Sequence, residues 1–181
     1  WGVELGYLKG RGSLAPRLRD CGIPVHAFPL RAPVDPWQGW RLARHLAQGG
    51  FDVLHTHLFK ADFLGAWAGG RAGVPRIIST RHNEDQQLRN PFFRRAGQWA
   101  ADRNHAVIAI SRAVKKFLHR WLVLPEEKVP VVHYGFDLAQ FDARPVRPGA
   151  SWLPRPLPEG ALVVGTAARL VPQKAYDILL P

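Results

Sequence analysis

FDVLHTHLFKADFLGAWAGGRAGVPRIISTRHN, residues 51–83, changes its periodicity twice. Asp52–His57 is short, apolar and alternating, which is the pattern of a strand. Ala61–Arg71 has the length and composition of a helix, and Gly73 ends it. Arg76–Arg81 returns to the strand pattern. A strand, a helix and a second strand in this order make a parallel pair joined by a crossover helix.

The same alternation extends in both directions. Upstream, Val3–Lys9 reads as a strand, Ser13–Cys21 as a helix closed by Gly22, and Val25–Pro29 as a strand. Asp35 and Pro36 have the cap-then-proline start of a helix that runs to about Gln48. Downstream come a helix over Pro91–Arg103 and a strand over Ala106–Ile110. Ser111 then caps a helix with Val114, Phe117, Leu118, Trp121 and Leu122 on one face, and Val129–His133 is one more strand. The fold class is α/β: a Rossmann-like, doubly wound parallel sheet covered on both sides.

Pro145, Pro148, Pro154, Pro156 and Pro158 break the pattern. The expected organisation is a first domain over 1–143, a proline-rich semi-rigid linker over 144–160, and the opening of a second domain over 161–181. In that opening, ALVVGT starts a strand, Arg169 and Lys174 occupy the joint, and Tyr176–Leu180 begins a helix. Two cations between a strand and a helix N-terminus suit a phosphate.

Bulk properties narrow the classes. A hydrophobic content of 46% with 22% charged residues is globular, not disordered. No apolar run reaches membrane-spanning length, and WGVELGYLKGRG is not a signal peptide. Cys21 is the single cysteine, which excludes an internal disulfide and fits a reducing, cytoplasmic compartment. Methionine is absent even at position 1, so the chain reads as a piece of a longer one. A net charge of +11 points to an acidic partner: nucleic acid, anionic lipid or a phosphorylated substrate.

Several constellations can carry chemistry. Gly10-Arg11-Gly12-Ser13-Leu14-Ala15 fits a loose dinucleotide fingerprint, or a plain glycine-rich turn. His55 and His57 share one face of a strand end; they line a cleft, or with His82, Glu84 and Asp85 offer metal ligands. Arg81, His82 and Asn83 follow the next strand, where a polar set makes an active-site wall or a solvated loop. Between Arg89 and Arg120, eight cations, Arg94, Arg95, Lys115 and Lys116 among them, face one acid, Asp102. Phe92, Phe93, Trp99, Phe117 and Trp121 interleave with them, as on a membrane-docking or nucleic-acid surface, or a cationic face over an aromatic core.

Residues 51–83, then VIAISRAVKKFL, KVPVVHYGFDLAQF and VVGTAARLVPQK, resemble successive landmarks of family 4 of the retaining glycosyltransferases, with the GT-B fold. That resemblance implies two Rossmann-like domains, an acceptor-side first domain and a second that binds a nucleotide-diphosphate sugar. It implies that His82 stands at the reacting centre, that Arg169 and Lys174 hold the donor diphosphate, and that Gly135 and Asp137 belong to the loop closing the first domain. His55, His57, Arg81, Asn83 and Gly135 then fall on the cleft or acceptor side. It implies retaining hexosyl transfer with no cofactor and no metal, and Gly10-Arg11-Gly12 becomes simply the turn after the family's second strand.

The family's first strand and its glycine-rich loop are expected ahead of Trp1. Its pair of glutamates eight positions apart has no counterpart here, and its glycine after the lysine is Ala175, which tightens backbone approach to phosphate. Residues 1–181 alone are therefore expected to be inactive. The expected partners are a nucleotide sugar, a lipid-linked or other glycan acceptor, and peripherally the anionic inner face of the cytoplasmic membrane; nucleic acid is not expected. A sugar-nucleotide epimerase and a non-catalytic polyanion- or membrane-binding module are the alternatives.

Overall fold

A computed structural model describes residues 2–10, 12–32, 35–139, 166–171 and 174–179. The chain forms two compact units, Trp1–Gly135 and Phe136–Pro181. The first unit alternates strand and helix: β1 (Leu5–Tyr7), α1 (Ala15–Asp20), β2 (Val25–Ala27), α2 (Pro36–Gly49), β3 (Val53–His57), α3 (Phe59–Ala72), β4 (Arg76–Arg81), α4 (Pro91–Arg103), β5 (Ala106–Ala109) and α5 (Arg112–Trp121).

Local chemistry sets these boundaries. The Asp35 carboxylate accepts the Gln38 N–H at 3.1 Å, and Pro36 opens α2 where no N–H is needed. The Ser111 hydroxyl accepts the Val114 N–H at 3.2 Å, and α5 then buries Val114, Phe117 and Leu118. The short turn Gln86–Arg89 was not visible as periodicity; Asp85 caps it through the Gln87 N–H at 3.2 Å.

All paired strands are parallel, as the alternation requires. They form two hydrogen-bonded sheets: β3-β4-β5, in register from Val53 opposite Arg76 to His57 opposite Thr80, and β1-β2, with Gly6 opposite His26. A cleft of about 1830 Å³, walled by both β1 and β3, lies between the sheets. The strand expected at Val129–His133 reduces to one parallel bridge between Ala109 and Val131. Pro130 explains this: it has no N–H to give a ladder, although its carbonyl accepts from Ala109.

The core sits on the helix side of the larger sheet. Leu88, Val107, Leu118 and Val129 are at most 1% exposed, and each such side chain contributes about 1.5–3 kcal/mol by leaving water. α3 lies close to β3 because Gly65 has no side chain: a Cβ there would stand 2.4 Å from Thr56 Cγ2. Expected cover on both sides is not uniform. β3 buries Thr56 against α3 and leaves Val53, His55 and His57 exposed.

In the second unit, α6 (Tyr176–Leu179) is the described element. The Tyr176 hydroxyl donates to the Ala168 carbonyl at 3.1 Å. The linker over 144–160 and most of ALVVGT lie outside the described residues. Among the described residues no helix is long and apolar enough to cross a membrane.

Candidate active site

β3 and β4 end at the same level, because His57 is in register with Thr80. His55 and His57 project from one face, as alternation demands, with ring centroids 4.3 Å apart. Nε2 of His55 lies 2.7 Å from the Thr80 hydroxyl. Nδ1 of His57 lies 2.9 Å from Nε2 of His82, the first residue after β4. On its other side, His82 Nδ1 hydrogen-bonds the Tyr134 hydroxyl, and the two rings stack at 17°. A line of polar rings, His57–His82–Tyr134, therefore runs along the carboxyl ends of the strands.

Partial desolvation of its ring, then the nearby His82, lowers the pKa of His55 below the usual histidine value, although the residue as a whole stays exposed. For His57 the same direction follows from burial, then from His55 and His82; for His82 it follows from burial. The three imidazoles are thus neutral at pH 7. Each has one donor and one acceptor nitrogen, suited to hydrogen-bonding a neutral sugar hydroxyl as well as an anion.

Leu58 follows His57 with φ 72° and ψ 158°, a backbone region that glycine favours. Neither Leu58 nor Tyr134 was singled out by sequence. Tyr134 sits beside Gly135 in HYGFD, and an aromatic hydroxyl next to that glycine was the available signal.

The other expected residues are placed as follows. Asn83 is exposed on the wall of the large cleft, together with His55 and His57. Arg81 is a correction: its guanidinium does not face the cleft but is 2% exposed and paired with the buried Asp62. Asp62 Oδ1 also accepts from Asn104 at 2.5 Å, and Arg81 stacks 5.6 Å from the Phe59 ring centroid. A buried guanidinium needs such a counter-ion, which the strand pattern alone does not reveal. Gly135 is exposed, and a Cβ there would meet nothing within 4 Å. Asp85 is drawn toward Arg81, 3.9 Å away, so it does not join the histidines as a ligand set.

In the second unit Arg169 and Lys174 are exposed, and Ala175 takes φ 52°, a left-handed backbone that glycine adopts more readily. On the cationic surface, Arg95 and Lys116 are exposed and Arg94 is half-buried. Lys115 is half-buried and ion-paired with Glu126 at 2.6 Å, an acid outside the 89–120 segment. Phe93 and Trp121 pack on the core, whereas Phe92 is 70% exposed.

The sequence profile of Glycosyltransferase Family 4 matches residues 3–140. The D-inositol 3-phosphate glycosyltransferase of Streptomyces scabiei is 32% identical over 158 residues, covering 80% of this chain and 33% of that protein. Its counterpart in Nocardioides sp. is 30% identical over 142 residues, covering 73% and 30%. The chain thus spans about a third of the length of the curated relatives it matches. Among solved structures, Anabaena Alr3699/HepE in complex with UDP aligns with a TM-score of 0.63 at 16% identity, over 78% of this chain and 46% of that one. The same protein in complex with UDP-glucose aligns with a TM-score of 0.61 at 17% identity, over 76% and 45%. At such identities the likeness establishes the fold, a GT-B glycosyltransferase architecture with a Rossmann-like first domain.

Proposed function

The chain belongs to glycosyltransferase family 4, and on that ground we propose that the full-length protein moves a sugar from a nucleotide-diphosphate sugar to an acceptor, with retention at the anomeric carbon. The observation that carries this reading is the hydrogen-bonded His57–His82–Tyr134 line at the strand ends. In the transfer, the bond from the anomeric carbon to the diphosphate oxygen breaks and negative charge grows on the leaving group. Arg169 and Lys174 stabilise that charge, with no metal or cofactor required. His82 hydrogen-bonds the donor sugar or a phosphate oxygen by exchanging one of its two present partners, His57 or Tyr134.

UDP-glucose is the first donor to test, since Alr3699/HepE has been solved with it. An inositol phosphate is the first acceptor, since the relatives bear that name and a chain of +11 attracts an anion. A lipid-linked glycan is the second acceptor arm. Cytoplasmic placement with peripheral contact to anionic lipid belongs to the same reading. Exposed Phe92, Arg95 and Lys116 support it, and Arg94→Glu with Arg95→Glu should reduce co-sedimentation with anionic vesicles.

The deciding experiment measures transfer by the full-length protein and its His82→Ala, Arg169→Ala and Lys174→Ala variants. Each should lose about 10²–10³ in kcat, with far-UV circular dichroism unchanged. Epimerised donor without transfer would replace the assignment with an epimerase. Salt-sensitive polyanion binding with no response to nucleotide sugars would replace it with a binding module.

A further inference from the structure

A second group, of two histidines and a glutamate, lines the same cleft as His55 and His57 but is built from other elements. Glu4 immediately precedes β1, His26 is the centre of β2, and His45 lies late in α2. Gly6 is opposite His26 in the parallel register, and Glu4 stands two residues before Gly6. Alternation therefore puts Glu4 and His26 on one face of the small sheet. α2 brings His45 over that face, with the His26 and His45 ring centroids 4.2 Å apart. Phe28 and Phe51, at 5.8 and 5.6 Å from the His45 ring, form an apolar surround.

The donor atoms converge. Glu4 Oε2 lies 2.9 Å from His26 Nε2 and 3.0 Å from His45 Nε2, and all three atoms fall within 4.8 Å of one another. The His45 contact has hydrogen-bond geometry. The His26 contact does not: its Nε2 is buried with no hydrogen-bond partner. One carboxylate thus leaves one imidazole nitrogen unsatisfied, a defect that a shared cation would remove.

We propose that Glu4, His26 and His45 form a zinc site, with water in the fourth position. Two imidazoles and one carboxylate are a donor set for zinc, too nitrogen-rich for calcium or magnesium and lacking the thiolates that copper(I) prefers. Ligands about 2.0–2.2 Å from zinc in a tetrahedron stand roughly 3.4 Å apart, so the present 2.9 and 3.0 Å contacts open by only a few tenths of an ångström. Arg41 lies over the Phe28 ring and donates to the Gln38 side-chain oxygen at 2.8 Å. The ion staples the β1-β2 sheet to α2. None of the three ligands takes part in the His57–His82–Tyr134 line.

The test uses the 181-residue chain, stripped of metal, with zinc ion alone as the probe in equilibrium dialysis. One zinc per chain is expected, with a rise in melting temperature on loading. Cobalt in its place should show the visible bands of a tetrahedral nitrogen–oxygen site. Glu4→Gln, His26→Gln and His45→Gln should each weaken binding at least about tenfold, since even the loss of an outer-shell partner costs that much. A His57→Gln, His82→Gln double variant should bind as the parent does. Should His45→Gln fail to fold, the solvent-facing Glu4→Gln decides. No stoichiometric zinc in the parent, or binding retained in Glu4→Gln, or loss confined to the His57/His82 variant, overturns the site.

Discussion

The two faces of β3 carry different physics within five residues, VLHTH. On the α3 side, Leu54 and Thr56 meet a helix so close that Gly65 and Gly69 admit no Cβ without a clash. On the other side, Val53, His55 and His57 are exposed, and the histidines engage Thr80 and His82 instead of a helix. Volume fixes the first face; hydrogen bonds between titratable rings fix the second. Stability is concentrated where a helix leaves no room, and chemistry where it leaves the strand uncovered.

The packed face should break most severely at Asp62. Its carboxylate, 1% exposed, receives Arg81, Asn104 and, at 3.4 Å, Thr56. Asp62→Ala leaves the Arg81 guanidinium buried and uncompensated, at an expected cost of about 3–5 kcal/mol. The check is a urea midpoint shift at unchanged slope. An Asp62→Leu, Arg81→Met double variant should recover most of the loss. A single-variant loss below about 1 kcal/mol would mean the pair does not organise this face.

Next in size is Gly65→Ala. The new methyl stands 2.4 Å from Thr56 Cγ2 on a stiff, β-branched side chain, so about 1–3 kcal/mol is expected from overpacking. Thr56→Ser removes the obstructing methyl, and the double variant should regain part of the difference. Additive losses in that cycle would place the strain elsewhere.

How much of this was legible differs between the two faces. The crossover order, the caps at Asp35 and Ser111, and the helix Pro91–Arg103 follow from local residue chemistry, and the structure places them as read. Pairing of His55 with His57 was legible because a period of two is a local rule. Arg81 was misread as a cleft residue because its partner Asp62 lies nineteen positions away on α3, and burial is a tertiary property. Tyr134 reaches His82 across fifty-two positions, a separation that no periodicity encodes. Glu4, His26 and His45 are similarly scattered, so their convergence depends on the parallel register of β1 and β2.

A smaller effect belongs to the open face. The pKa values of His55, His57 and His82 are lowered by folding, from a reference of 6.5. In the window just below pH 6.5 the unfolded chain binds more protons than the folded one. Their stabilising contribution is therefore complete above about pH 6.5 and is lost as pH falls toward the lowered folded values. Urea unfolding at pH 7.5, 6.5 and 5.5 should show this slope, and His57→Asn should flatten it. A slope unchanged in that variant would detach the pH dependence from this cluster.

The smallest expected effect lies at the junction of the two faces. Leu58 holds φ 72° and ψ 158° between His57 and the first turn of α3, and its N–H reaches the Thr80 carbonyl at 3.4 Å. A residue with a Cβ in that region stores about 1–3 kcal/mol of strain. Glycine removes the strain and keeps the N–H. It gives up a side chain that is already 54% exposed, and it adds about 0.5–1 kcal/mol of unfolded-state entropy. Leu58→Gly should therefore stabilise the fold by about 1 kcal/mol, while Leu58→Ala, which keeps the strained backbone, should not. The His57 ring reports what the strain does. If its titration by NMR is unmoved in Leu58→Gly, the contacts with His55 and His82 alone hold the open face. If it moves toward the free histidine value while stability rises, the strained turn is what sets His57 against His82. A loss of stability in Leu58→Gly would show that no strain is stored there, and the division between the two faces would then owe nothing to the backbone that joins them.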